Sequence, residues 1–392
     1  MREAGLEQLH AAMAARVERG ELPGLVTLVA QGDDVRVDAI GMRAFGSSEP
    51  MQRDTLFRIA SMTKPILAVA TLMLVEDGKI RLDDPVDRWL PELANRRVLK
   101  RIDGPLDDTV PANRSITVDD LLTMRMGFGM IVEPSFDPPY PIVKAGYDLQ
   151  LALSQPDPRT PHTPDEWMRR FATLPLMAQP GERWQYNVAS LVLGVLVARV
   201  ANQSFEDLLR ERIFEPLGMH TTGFWLPLEI TRRLPSYYST NSQTGQNELR
   251  DVSTPEEWSR PPVFPSGAGG LVSTADDYLK FGRLLLNRGV WEGKRLLTEA
   301  SVAAMTSNQL TDDQIATAGI ILGGQGWGFG QAVVTRPSAE WPVPGRYGWA
   351  GGYGTNWFND PHRGIVAIVL TQVSAFMWGG GLDEFSRLVG GV

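Results

Sequence analysis

The chain has 392 residues, 43% of them hydrophobic, and its 46 acidic against 38 basic side chains set a formal net charge of −8. That length supports one large domain with a substantial insertion, or two packed domains, and the acidic balance argues against nucleic acid or an anionic membrane as partner. The absence of cysteine excludes disulfides and thiolate metal sites.

In chain order, residues 1–10 read as a charged amphipathic helix rather than an apolar signal core, from which a cytoplasmic, bacterial-type protein is expected. No apolar run is long enough to span a bilayer, so membrane anchoring is not expected. Residues 24–30 and 35–40, joined at Gly32-Asp33-Asp34, predict a β-hairpin. Next comes Ser61-Met62-Thr63-Lys64, opening the apolar run of residues 66–75. Helix positions three apart share a face, about 5–6 Å apart at Cβ, so the Lys64 amine can reach the Ser61 hydroxyl. A lysine entering so apolar a helix is poorly solvated, which lowers its pKa toward a value useful for proton transfer. Ser61 is thus a candidate nucleophile and Lys64 its partner. On local sequence alone, Ser61 could equally be a helix N-cap with Lys64 in solvent.

From Ser61 to about Pro265 the pattern is mostly helix and long loop. Met124, Met126, Phe128 and Met130 could line an adaptable entrance or pack internally. Arg125, a cation among them, could meet a substrate acid or pair with an internal carboxylate. The proline-rich part from Pro134 to Pro164 is too long for an ordinary connection and is expected to form a functional flap or rim. Tyr186, in Gln185-Tyr186-Asn187-Val188, stands at the mouth of a second apolar run, residues 191–200. A phenol titrates near about 10, and a neighbouring ammonium such as Lys64 would lower that value, making Tyr186 a candidate general base. The alternative is a packed tyrosine bonded to a nearby carbonyl.

Beyond Gly270, helices are predicted over residues 275–286 and near 298–306, strands near 326–335, 346–357 and 365–372, and a last helix near 383–389. Gly351 and Gly352 sit in a glycine-rich strand that could aim a backbone N–H at a developing oxyanion, or could serve a tight turn. The elements allow an α+β architecture. An antiparallel β-sheet built from residues 1–60 and 265–392 would be flanked by N- and C-terminal helices. A mostly helical domain, residues 61–264, would be inserted, with the active site between the two. Trp184, Trp258, Trp327, Trp349, Tyr353 and Trp357 are aromatic candidates for an apolar pocket. No Gly-x-Ser-x-Gly elbow occurs, and none of His10, His162, His220 and His362 lies in a triad context. Neither a His-Glu-x-x-His cluster nor a nucleotide-binding glycine motif is present, so no metal and no cofactor is expected.

The Ser61, Tyr186 and Trp349 segments occur in that order. With them come Asp54-Thr55-Leu56-Phe57, Leu82-Asp83-Asp84-Pro85, Pro216-Leu217-Gly218-Met219 and Ser266-Gly267-Ala268-Gly269-Gly270. Together they resemble the serine β-lactamase-like superfamily, in particular class C β-lactamases and family VIII carboxylesterases, over nearly the whole chain. The resemblance implies the class C β-lactamase or DD-peptidase-like fold. It makes Ser61 the acylated nucleophile, Lys64 the proton partner and Tyr186 the first residue of a Tyr-x-Asn motif. Trp349-Ala350-Gly351 falls where β-lactamases carry Lys-Thr-Gly, and the N–H groups of Ser61 and Gly352 would form the oxyanion hole.

Two departures concern what holds the substrate. Val188 replaces the motif's asparagine, although Asn187 and Ser190 could partly compensate, and Trp349 replaces the third motif's cation. Both changes favour neutral, partly apolar groups over carboxylated β-lactams or peptides. The reading is a serine carboxylesterase acting on short- to medium-chain, small-molecule esters through an acyl-enzyme on Ser61. The alternatives are a β-lactamase or DD-peptidase, and a D-amino-acid amidase or aminopeptidase. Oligomeric state is not legible.

Overall fold

The computed structural model describes residues 1–131, 139–153, 159–241, 244–250, 254–338 and 342–392. The fold is α+β. Helix α1 (Glu3–Glu18) buries Gly5, Leu9 and Met13, one stripe at four-residue spacing. Strands β1 (Gly24–Gln31) and β2 (Asp34–Gly41) follow as the predicted hairpin, turning at Gly32 with φ +56°. Two helices, α2 (Thr63–Glu76) and α3 (Val188–Ala201), are apolar on nearly every face and pack against each other inside the molecule. Helix α4 (Ala275–Leu286) starts at Thr274, whose hydroxyl accepts from the Asp277 N–H, and it carries acids in its first turn and Arg283 in its last.

The sheet is completed by β3 (Gly326–Trp327), β4 (Ala332–Val333), β5 (Tyr347–Gly351), β6 (Thr355–Asp360) and β7 (Ile365–Leu370), before α5 (Gly381–Val389). Its order is β3-β4-β5-β6-β7-β1-β2, with every neighbour antiparallel. β1 pairs with β7 in the register Val26 to Leu370, so both chain ends build one sheet. On one face α1 and α5 close a core of Leu9, Met13, Val29, Ile365 and Phe385. Val26, Leu28, Ile368 and Trp357 face the larger core that holds α2, α3 and α4. The side chains of β7 are buried on both faces, which is why it reads as an unbroken apolar run.

Two expectations are corrected. The glycine-rich stretch over residues 346–357 is a hairpin rather than one strand, because Gly354, at φ +92°, turns the chain where any Cβ would strike the Val373 carbonyl. The predicted strand near 326–335 is likewise a tight hairpin, turning at Gly330 with φ +75°. Of the segment expected as a flap, residues 134–138 and 154–158 lie outside the described residues. The remainder includes a helix, Pro141–Asp148, with proline at its start. Among the described residues, no single helix is long and apolar enough to cross a membrane.

Candidate active site

The turn that carries Ser61 is held from several directions. Phe57–Arg58 pairs with Val272–Ser273, and the Ile59 N–H donates to the Leu271 carbonyl at 3.0 Å. Ala60 takes φ +45°, a strained value for a residue with a Cβ. The Tyr278 hydroxyl then donates to the Met62 carbonyl at 2.8 Å. From the opposite side β5 approaches so closely that a Cβ on Gly351 would collide with the Ile59 carbonyl oxygen and Thr355 Oγ1. Ser61 is left half-buried at the mouth of α2, beside the end of β5.

Lys64, 1% exposed, lies one turn below. Its Nζ donates to the Ala268 carbonyl at 2.6 Å and to Asn187 Oδ1 at 2.9 Å, and Ser61 Oγ stands 3.0 Å away. Burial lowers its pKa well below the usual lysine value. The three oxygens within reach can take all three N–H bonds of an ammonium or two from a neutral amine. Two of them can only accept, since Asn187 Nδ2 is committed to the Leu153 carbonyl at 2.8 Å. In a neutral state the amine would keep two N–H bonds for these acceptors and have a lone pair free for the Ser61 hydroxyl.

Asn187 reaches Lys64 through an unusual backbone. At φ +82° and ψ −58°, with the Val188 N–H donating to the Tyr186 carbonyl at 3.2 Å, it is the centre of a γ-turn of the rare, strained kind. Such a conformation costs about 1–3 kcal/mol and persists only where the surroundings enforce it. Val188, expected among the substrate-binding residues, is turned into the core and does not line the cleft. The amide at the motif's second position therefore meets the lysine, the compensation by Asn187 that the sequence allowed. Gly351 is also absent from the lining. Its part is the close approach of β5 to Ile59.

The Tyr186 phenol hydrogen-bonds Ser61 and accepts from Trp349 Nε1 at 2.7 Å. The expectation of a phenol lowered by its cationic neighbour is corrected. Burial pushes Tyr186 up to about 12, against the smaller downward pull of its bonds to Ser61 and Trp349. Lys64 Nζ lies over the ring, 4.6 Å from its centroid. Trp184 stacks on Tyr186 at 5.6 Å, and Trp327 meets Trp349 edge-on at 4.7 Å. Trp349 is thus a donor to the phenol as well as an aromatic wall.

The cleft encloses about 1120 Å³ and is lined by Ser61, Met130, Tyr186, Trp349, Gly352 and Tyr353, among others. Ile320 and Trp378, both largely exposed, are part of its lining. Met124, Met126 and Phe128 are core residues instead. Trp357 is buried under the sheet against Tyr278, and Trp258 packs in a separate cluster with Leu226 and Leu234. Arg125 pairs with Asp119 at 2.5 Å, which decides for the internal carboxylate. None of the four histidines lines the cleft. Two participants escaped the sequence reading, the carbonyls of Ala268 and Leu153. A carbonyl carries no residue-type signal, although Ala268 lies within the Ser266–Gly270 segment already singled out.

The beta-lactamase family matches residues 9–386. Esterase EstB of Burkholderia gladioli is 32% identical over 392 residues, covering 94% of this chain and 90% of that one. An uncharacterized protein of Mycobacterium tuberculosis is 40% identical over 369 residues, covering 91% of this chain and 87% of its own. Among solved structures, EstCE1, a hydrolase with promiscuous acyltransferase activity, superposes with a TM-score of 0.78 at 25% identity, covering 98% of this chain and 99% of that one.

Proposed function

This chain belongs to the beta-lactamase family and is a serine hydrolase, and on that premise we propose that it is a carboxylesterase for short- to medium-chain esters, acting through an acyl-enzyme on Ser61. The observation that carries the ester reading is Trp349. It stands where the family's third motif holds a cation, and its indole N–H is bonded to Tyr186. A substrate carboxylate next to the reacting carbonyl would meet an aromatic wall there, whereas an uncharged ester group would lose nothing.

In this mechanism Ser61 Oγ attacks the ester carbonyl while its proton passes to the Lys64 lone pair 3.0 Å away. The carbonyl electron pair moves to oxygen, held by the N–H groups of Ser61 and Gly352, each such donor being worth about 3–4 kcal/mol. Collapse restores the carbonyl and breaks the bond to the alcohol. The departing oxygen takes the proton held by Lys64, with the Tyr186 hydroxyl as relay. Tyr186 suits this role because a phenol near 12 stays protonated at neutral pH and can donate. Water then repeats the sequence on the acyl-enzyme, releasing the acid and restoring Ser61.

The reading is tested by p-nitrophenyl acetate, butyrate and octanoate beside nitrocefin, with wild type and Ser61→Ala in parallel. Ester turnover lost in the variant, with nitrocefin slow, is the expected result. Fast nitrocefin opening with poor ester cleavage would instead make the chain a β-lactamase with an unusual grip.

A further inference from the structure

Loss of the third-motif cation leaves the reacting centre without a counter-charge, yet the cleft is not without one. Among the described residues that line it, Arg250 is the one lysine or arginine. It follows a short hairpin, Tyr238–Thr240 with Asn247–Leu249, whose register places Arg250 opposite Tyr237, and its N–H donates to the Tyr237 carbonyl at 2.8 Å. Tyr237 in turn meets Tyr353 edge-on at 4.5 Å, and both rings pack on Ala60, the residue before Ser61. Tyr353 directly follows Gly352. One aromatic layer therefore separates the nucleophile turn from an exposed guanidinium on the same cleft wall.

The guanidinium is oriented and still available. Its Nε donates to Ser239 Oγ at 2.7 Å, fixing the plane from within the hairpin, while it makes no ion pair among the described residues. Its two terminal nitrogens remain as a fork, the geometry that grips a carboxylate through two parallel hydrogen bonds. In a protein of net charge −8, a cation held in a cleft wall without a carboxylate partner among the described residues marks a place for an anion brought by the ligand.

We propose that Arg250 binds a carboxylate at the distal end of the substrate's acyl group, so that the preferred substrates are half-esters of dicarboxylic acids. This rests on the ester mechanism above. There the alcohol leaves on the Tyr186 side of Ser61, and the acyl chain extends the other way, along Tyr353 and Tyr237 toward Arg250. The cleft-facing edges of these two nearly buried rings border the methylenes and the arginine takes the far acid. Trp349 excludes a carboxylate near the reacting carbonyl, and Arg250 accepts one several bonds further out.

The test compares monoethyl adipate with ethyl hexanoate, which differ by carboxylate against methyl at the chain end, using proton release as the readout. In wild type the ratio of kcat/KM, adipate over hexanoate, should exceed one. Arg250→Gln should lower that ratio about tenfold, Arg250→Lys should retain part of it, and 0.5 M salt should reduce it in wild type because a rim pair is screened. If Arg250→Gln moves both esters by the same factor, the inference is overturned while the esterase reading stands. Binding of monoethyl adipate to Ser61→Ala, followed calorimetrically, gives a second readout that needs no turnover. Arg250→Gln in that background should weaken binding about tenfold, and unchanged affinity overturns the inference even if no ester proves to be a substrate.

Discussion

Asn187 shows how much of this site is set by a single backbone conformation. A γ-turn with φ +82° places its amide oxygen 2.9 Å from Lys64 Nζ, supplying one of the two acceptors that would leave a neutral amine's lone pair for Ser61. Because that oxygen also stabilises the ammonium, Asn187→Ala should lower the Lys64 pKa further. The acid limb of the kcat/KM profile should then move to lower pH, while kcat falls about 10- to 100-fold through lost positioning. Ser61→Ala should abolish ester turnover and leave the melting temperature nearly unchanged, since a half-buried hydroxyl contributes little to stability. Tyr186→Phe keeps the stacked ring and removes the proton relay, so a loss of about 10²–10⁴-fold is expected in kcat for esters of poorly leaving alcohols. A smaller loss should follow for p-nitrophenolate, which departs without a proton, and equal losses for both would remove Tyr186 from the acid role. At this scale the Ser61–Lys64 contact was readable from spacing and apolar context, and the place of Tyr186 beside them from the family resemblance. Asn187 was readable only as a neighbour that could compensate, because nothing in local sequence predicts a strained turn that tertiary packing must enforce.

Among the elements, the β5–β6 hairpin does most to assemble the site. It brings Trp349 to Tyr186, Gly351 against Ile59, and Gly352 into the cleft beside Ser61. Aromatic and small residues continue on both sides of its turn, so periodicity alone joined the two strands into one. Only the dihedral angle at Gly354 separates them. Gly351→Ala should force β5 away from the nucleophile turn, with a stability loss of about 1–3 kcal/mol in denaturant unfolding. The fall in kcat should exceed that seen for an equally destabilising substitution in α4. Helices α2 and α3 were legible as buried apolar runs. The helix Pro141–Asp148 was not, because proline-rich flanks read as loop while a proline in the first helical turn is well tolerated.

For the molecule as a whole, pH acts through groups that folding removes from water. Burial holds Tyr186 and Tyr347 up at about 12, and Tyr278 well above its ordinary value near 10.0. Above pH 10 the unfolded chain releases protons that the folded chain keeps, so stability should fall as pH rises beyond 10. Tyr278→Phe should make that alkaline decline shallower in denaturant titrations between pH 9 and about 11. Lys64 acts in the opposite sense. Its folded pKa lies below 10.5, so at lower pH the unfolded state binds a proton that the folded state refuses. The stability of wild type relative to Lys64→Met should therefore rise as pH climbs toward 10.5. By itself the sequence determined that Ser61 and Lys64 share a helix face and that Tyr186 opens a second buried helix, together with those helices and a sheet drawn from both chain ends. Those features depend on residue type, spacing and hydrophobic period, which are local. The tertiary structure alone decided which amide meets the lysine, that the phenol stays protonated, that Arg125 is spent on Asp119, and that Arg250 faces the cleft. Each of these depends on burial and on partners remote in sequence, and no local pattern records them.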